Sequence, residues 1–213
     1  GYWMTIELAA IAAVVAYMLG SIPSGVIAVR LIKGIDIRHV GSGRTGATNA
    51  YRAAGRWGLA LTLAGDLLKG MAAVWVARVL MAFSADPGWT HWIEALAGVA
   101  AIAGHNWSIW LGFRGGAGTA TTLGVVVAMN LYLAIGLAAF TIGIIVLARM
   151  ASVGSIAAAI IMSVALSIAA AIHLTPWAYV SFGVIGGLLT LWALKPNILR
   201  ILSQSERQLT PDH

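Results

Sequence analysis

Six apolar runs, at residues 6–29, 57–83, 95–113, 119–148, 153–172 and 176–194, leave this chain few ways to fold. A bilayer's hydrocarbon core is about 30 Å thick and takes about 20 helical residues to cross. Within lipid every main-chain N–H and C=O must be bonded inside the protein, so runs of this length are expected to be helices. Composition agrees: 60% of the 213 residues are apolar and 9% are charged. The mean hydropathy is +0.90, far from a soluble domain with roughly a quarter of its residues charged. The chain is expected to be all-α, a single polytopic membrane domain over 1–213. With no cysteine it has neither a disulfide framework nor a thiolate metal site. The net charge of +6 matters through its position along the chain, and nucleic acid is not an expected partner. The run at 6–19 has no basic segment before it and no small-residue cleavage site after it, so it reads as a retained span. Gly1, Tyr2 and Trp3 precede the first Met and carry no weight.

Charge asymmetry orients the spans. From Arg30 to Arg56 there are six Lys and Arg, seven positive charges with His39 protonated, against Asp36 alone; positive loops stay in the cytoplasm. Segments 1–5, 84–94 and 173–176 hold no Lys or Arg and are placed outside. Basic residues return at Arg114, Arg149, Lys195, Arg200 and Arg207, so both ends of the 119–148 run lie inside and the run must be a hairpin of two short helices. The expectation is seven transmembrane helices, some short, with the N-terminus out, the C-terminus in and a cytoplasmic tail at 203–213. Arg78 breaks the charge rule, but lies near the outer end of its span, where it can snorkel. The nine Trp residues are read mostly as belt and packing residues.

Five polar islands interrupt the apolar background: GSIPSG at 20–25, GSGRTGATNAYR at 41–52, DLLKG at 66–70, GHNWSIWLGFRGGAGTATTLG at 104–124 and ASVGS at 151–155. Glycine-rich segments with Ser and Thr let backbone N–H groups converge on an anion, above all where they enter a helix. They also serve as packing and turn residues. Arg44, Arg52 and Arg114 beside two such loops suit bidentate phosphate binding, or else mark topology and anionic lipid. Asp66 and Lys69, three apart on one helix, are within pairing distance, as a functional pair or a structural one. His105 is a proton-transfer group or a packing residue. His39, His91 and His173 read as loop or interface residues. No His and carboxylate pair has metal-site spacing, so no protein-bound metal is expected.

Taken together and in order, GSIPSG, GSGRTGATNAYR, DLLKG, GHNWSIWLGFRGGAGTATTLG, the ASVGSI after Arg149 and KPNILRILSQSE resemble the bacterial acyl-phosphate:glycerol-3-phosphate acyltransferase family, PlsY, over nearly the whole chain. The resemblance implies a seven-helix enzyme of the bacterial inner membrane with its active site facing the cytoplasm. Its partners are acyl phosphate, glycerol 3-phosphate and membrane lipids, and it needs no cofactor. It implies transfer of a fatty acyl group from acyl phosphate to the 1-hydroxyl of glycerol 3-phosphate, giving lysophosphatidic acid and phosphate. The H-x-x-x-x-D signature of thioester-dependent glycerolipid acyltransferases is absent: the residues five beyond His39, His91 and His105 are Arg44, Leu96 and Trp110.

By position, the family's first motif maps onto Ser42, Gly43, Asn49 and Arg52, with the Ser and Arg as essential residues. Its glycine loop maps onto Gly115, Gly116 and Gly118, the expected glycerol 3-phosphate cradle. Its C-terminal motif maps onto Asn197 and, more structurally, Glu206. Ser42, Arg52, His105 and Asn197 form the candidate catalytic set. Gly43, Arg44, Asn49, Lys69, Arg114, Gly115, Gly116, Gly118, Thr119 and Ser152 form the candidate substrate-binding set. Three departures stand out: Arg44 in place of Asn in GSGN, Ala117 in place of Lys in GGKG, and Leu194 in place of His three residues before Asn197. Arg44 is expected to supply the cation that Ala117 lacks. A second expectation follows from the same departures: a weakened paralogue serving as a structural or lipid-binding subunit of a membrane complex. A small-anion transporter is disfavoured because no internal inverted repeat is visible.

Overall fold

The computed structural model describes residues 2–209; Gly1 and residues 210–213, the end of the expected tail, lie outside the described residues. Nine α-helices occur there, with short 3₁₀ turns and no β-strand among the described residues. The first apolar run divides. Helix α1 (Tyr2–Ser21) stops before Pro23, which has no N–H to give, and α2 (Ser24–Lys33) continues to Gly34, whose φ of 70° closes the helix end. Helix α3 (Ala47–Met81) is 35 residues long and is interrupted at Ala54 and Gly55, the latter at φ 64°. Its first turns, carrying Asn49 and Arg52, are therefore a separate piece from the long apolar remainder. Helix α4 (Thr90–Asn106) ends seven residues before the apolar run does, because Trp107 to Phe113 form a loop with a 3₁₀ turn.

The 119–148 run breaks at Asn130 into α5 (Thr119–Met129) and α6 (Leu131–Ala148). Asn130 is extended, and its side chain accepts from Leu133 N–H to cap α6. The first turns of α5 and the later turns of α6 line one cavity, as a hairpin requires. Helix α7 (Ala151–Ala171) follows, then α8 (Ala178–Ala193) and α9 (Lys195–Leu202), bent from each other by 61°.

Four helical stretches are long and apolar enough to cross a bilayer unaided, with α1 and α2 taken as one, and five if α8 and α9 are a single span. Helices α4, at 17 residues, and α5, at 11, are shorter than a full crossing. The expected seven is thus met only as far as an all-helical membrane bundle with four to five clear spans; 107–113 is loop and α5 is half a span.

Small residues set the packing. A Cβ on Gly20 would lie 2.1 Å from the Ala101 carbonyl oxygen and one on Gly104 would lie 2.2 Å from that of Tyr17, so α1 and α4 touch backbone to backbone. Ala12, Ala16, Ala73, Ala77, Ala97 and Ala101 fill the seam between α1, α3 and α4. A second core joins Val74, Ile102, Val125, Met162, Leu166 and Phe182. Helix α6 is apolar on every face and largely exposed, with Tyr132 and Leu147 each 83% accessible, the pattern of a helix that faces lipid. At the opposite end from the polar loops, the Thr5 and Ser84 hydroxyls bond at 3.1 Å.

Candidate active site

Segment 37–46 is held by one buried side chain. Asn49, 3% exposed, donates through Nδ2 to the carbonyls of Ile37 (3.2 Å), Val40 (2.9 Å) and Arg44 (2.8 Å), and its Oδ1 accepts from Ser42 N–H at 3.1 Å. The turn needs Gly43 at φ 69°, a left-handed conformation costly to other residues. Ser42 is thereby presented with its Oγ accepting from Arg44 N–H at 3.4 Å. The Arg44 Nη2 donates to the Ala193 carbonyl, while its Nη1 is buried with no partner among the described residues. Burial first, then the like charge of Arg200, lowers the affinity of this guanidinium for its proton, and Glu206 opposes that shift. Arg44 is a desolvated cation whose charge an anion would offset. Arg52 Nη2 donates to the Gln208 carbonyl at 3.2 Å.

The second segment folds over His105. Gly116 N–H donates to the His105 carbonyl at 3.2 Å, and a Cβ on Gly116 would stand 2.1 Å from His105 Nε2. The loop therefore abuts the Nε2 edge of the imidazole, and only glycine permits that approach. Gly118, at φ 84°, turns the chain into α5, so Thr119 opens that helix. Behind the ring, Asp66 Oδ1 is 3.5 Å from His105 Nδ1 and 2.8 Å from Lys69 Nζ, which also donates to the Ile22 carbonyl at 2.9 Å. Lys69 and Asp66 side chains are 5% and 2% exposed. The pair ties α3 to the turn between α1 and α2.

The third segment is the C-terminal end. Glu206 accepts from Ser152 Oγ (3.0 Å), Asn197 Nδ2 (2.8 Å) and Arg200 Nε (2.9 Å), joining α7, α9 and the tail. Burial pushes the Glu206 carboxyl up, but the bonds from Asn197, Arg200 and Ser152 outweigh it, and the net shift is downward.

These segments surround one cavity of about 730 Å³. Of the candidate residues it brings together Ser42, Arg44, Asn49, Arg52, His105, Gly116, Gly118, Thr119, Ser152 and Asn197 in its lining. Gly43, Lys69, Arg114 and Gly115 do not line it. Gly43 and Gly115 shape the two loops, and Lys69 stands behind Asp66. Ala117 and Leu194, two of the departures, also face the cavity. The rest of the wall is apolar, from Leu59 and Leu63 of α3, Leu123 of α5, and Leu137, Ile142 and Ile145 of α6. Sequence reasoning left Asp66, Thr122, Thr190 and Arg200 off the candidate list, though all four line the cavity. Their signal was a polar group recurring in an apolar helix, readable for Asp66 but indistinct for lone threonines. The hydroxyls of Thr119, Thr122 and Thr190 have no partner among the described residues.

A membrane-embedded helical bundle with a cavity that joins guanidinium and hydroxyl groups to an apolar wall suits a class: membrane proteins that handle a phosphorylated substrate together with an aliphatic chain. The model of the family "Glycerol-3-phosphate acyltransferase" matches residues 10–204, and the chain belongs to that family. It is similar to the glycerol-3-phosphate acyltransferase of Nostoc sp., at 41% identity over 98% of this chain and 94% of that one. That of Halalkalibacterium halodurans is 37% identical over 95% and 96%. Two crystal structures of PlsY, an integral membrane glycerol 3-phosphate acyltransferase, superpose with TM-scores of 0.82 for its glycerol 3-phosphate form and 0.81 for its lysophosphatidic acid form. Sequence identities are 33% and 31%, and each match covers 94% of both chains.

Proposed function

We propose that this chain moves a fatty acyl group from acyl phosphate to the 1-hydroxyl of glycerol 3-phosphate, releasing lysophosphatidic acid and inorganic phosphate, at the cytoplasmic face of a bacterial inner membrane. What carries this is the shared cavity: cations and hydroxyls for two phosphates, and an apolar wall for the chain, within one 730 Å³ space. Lysophosphatidic acid holds both chemistries in one molecule, which fits such a cavity.

The hydroxyl oxygen attacks the acyl carbonyl carbon, the bond from that carbon to the phosphate oxygen breaks, and the phosphate leaves with the electron pair and takes up the hydroxyl proton. An acyl phosphate is a mixed anhydride with a good leaving group, so no covalent enzyme intermediate is needed. Catalysis then rests on alignment and on donors aimed at developing negative charge. Backbone N–H groups at the start of α5, with the positive end of its dipole, hold the glycerol 3-phosphate phosphate. Ser42 and Arg52 engage the acyl phosphate. Arg44 faces the cavity with a free Nη1 and supplies the cation that Ala117 does not. His105 supports Gly116 from below, and Asn197 and Ser152 are presented by Glu206. Removing one well-aimed donor costs on the order of 100-fold in rate.

Purified protein given palmitoyl phosphate and glycerol 3-phosphate is expected to release phosphate continuously, and Arg52→Ala to release it at least 100-fold more slowly; equal rates for the two would sink the assignment. For topology we infer seven membrane segments, α1 with α2, then α3 to α7, and α8 with α9, with the N-terminus outside. Helices α5 and α6 together form one re-entering hairpin. The absence of Lys and Arg from 84–89 and 173–176, opposite the cavity, supports this. Since the chain has no cysteine, Arg44→Cys introduces one thiol; its labelling by an impermeant reagent in intact cells would refute the orientation.

A further inference from the structure

Far from the cavity, a group of charged residues lies against the apolar bundle and has no part in the proposed reaction. Glu94, near the start of α4 and 1% exposed, accepts from Arg78 Nε at 2.6 Å and from the Tyr179 hydroxyl, with His91 Nδ1 at 3.1 Å. Arg78 uses its other nitrogen differently: Nη2 donates at 3.1 Å to the carbonyl of Ala128, the next-to-last residue of α5.

That carbonyl needs a partner. The 11 residues of α5 span about 16 Å, half the thickness of the hydrocarbon core, and the last carbonyls of a helix have no acceptor role inside it. Where a helix ends within a membrane bundle, such carbonyls are best met by donors from the protein itself. The Val126 carbonyl accepts from Asn130 N–H at 2.7 Å, and the Ala128 carbonyl accepts from Arg78. The guanidinium also sits at the negative end of the helix dipole.

The opposite end of α5 is Gly118 and Thr119, the exit from the glycine loop. Between its ends the helix is pressed onto α3: a Cβ on Gly124 would lie 2.1 Å from the Leu67 carbonyl oxygen, and one on Gly70 would lie 2.2 Å from that of Thr121. The flank against α3 fixes α5 sideways, and Arg78 fixes it along its axis. We propose that Arg78, held by Glu94, is a positioning residue for the phosphate cradle: it anchors the C-terminal end of α5 and so sets where loop 115–118 stands at the other. The link to substrate rests on the reading of that loop as the glycerol 3-phosphate site.

The test uses the full chain in lipid nanodiscs, with Arg78→Met, Arg78→Lys and Glu94→Gln. Amide exchange across 119–129 is expected to rise about tenfold in Arg78→Met and Glu94→Gln, with α1 and α7 unchanged. KM for glycerol 3-phosphate rises about tenfold, while kcat and the KM for palmitoyl phosphate stay within about twofold, and Arg78→Lys restores both readouts. A merely structural role predicts otherwise: fewer folded molecules, a lower maximal rate and an unmoved KM, which overturns the proposal. Should Arg78→Met not accumulate, Glu94→Gln decides alone, and unchanged exchange in α5 refutes the anchor. Gly116→Ala separates the two ideas. If it raises KM for glycerol 3-phosphate and Arg78→Met does not, the anchor is wrong and the loop reading stands. If Gly116→Ala leaves KM unmoved while Arg78→Met loosens α5, the loop reading is wrong and the anchoring of α5 is supported.

Discussion

Adding one methyl group at Gly116 tests the site at its tightest point. The new Cβ would stand 2.1 Å from His105 Nε2, 2.9 Å from Cε1 and 3.1 Å from Cδ2, whereas ordinary contact begins near 3.4 Å. The ring cannot swing clear cheaply: it is 5% exposed, Asp66 stands 3.5 Å behind Nδ1, and the His105 carbonyl holds the loop itself. The loop must therefore lift by about 1 Å, and displacement of that size in a positioning element costs about 100-fold in rate. Gly116→Ala is expected to lose 30- to 100-fold, or about 2–3 kcal/mol, in kcat/KM for glycerol 3-phosphate. Thermal unfolding should move far less, because the loop carries little of the core. Gly136→Ala is the control: nothing lies within 4 Å of a Cβ there, and a helical Gly→Ala change alone is neutral or slightly stabilising. Phosphate release at varied glycerol 3-phosphate reads out both. A Gly116→Ala enzyme within threefold of the parent would refute the claim that the loop is seated on the imidazole.

Asn49→Ala removes an amide whose two N–H hydrogens are shared among three carbonyls and whose oxygen accepts one more bond; at about 1 kcal/mol net for each of these three hydrogens, roughly 3 kcal/mol of local order goes. Protease cleavage between residues 38 and 46 should rise, while cleavage elsewhere stays the same. Arg44→Asn is expected to weaken glycerol 3-phosphate binding by about tenfold, as loss of a charge-assisted bond of ~1.5 kcal/mol does; unchanged affinity in an active enzyme would show that Arg44 does not replace a cation at position 117. The lowered Glu206 carboxyl gives tail docking a pH dependence. A group whose folded pKa is depressed adds stability above its unfolded pKa and loses it as pH falls through the folded one. Release of the tail, followed by a spin label at residue 205, should begin below the ordinary carboxylate range and be independent of pH in Glu206→Gln.

The membrane class and the all-helical architecture were legible because both follow from the length and apolarity of the runs; the expected seven spans were not, since only four to five helical stretches are long enough to cross. That the 119–148 run divides in two was legible too, from the positive charge at both its ends; that it divides at Asn130 was not. Other boundaries were not. Residues 107–113 are as apolar as a helix, yet they form a loop because the chain must return over His105 to place Gly115 and Gly116. The candidate residues lying in the glycine loops could be read from the motifs. Their different duties could not: the Asp66–Lys69 pair was readable from its spacing, but only tertiary structure shows Asn49 tying a loop and that pair set behind the His105 ring.

Charge accounting around the cavity explains why so few cations suffice. Each carboxylate that lines it is already balanced: Asp66 by Lys69 at 2.8 Å, and Glu206 by Arg200 at 2.9 Å. Arg44 and Arg52, among the described residues, bond only to main-chain carbonyls. A carbonyl satisfies a guanidinium's geometry but not its charge, so both retain the field that a phosphate would neutralise. Had the anions been nearer these two arginines, they would have formed ion pairs and left the cavity neutral. Pairing each acidic group with another cation keeps the pull on substrate phosphate where the apolar wall also begins.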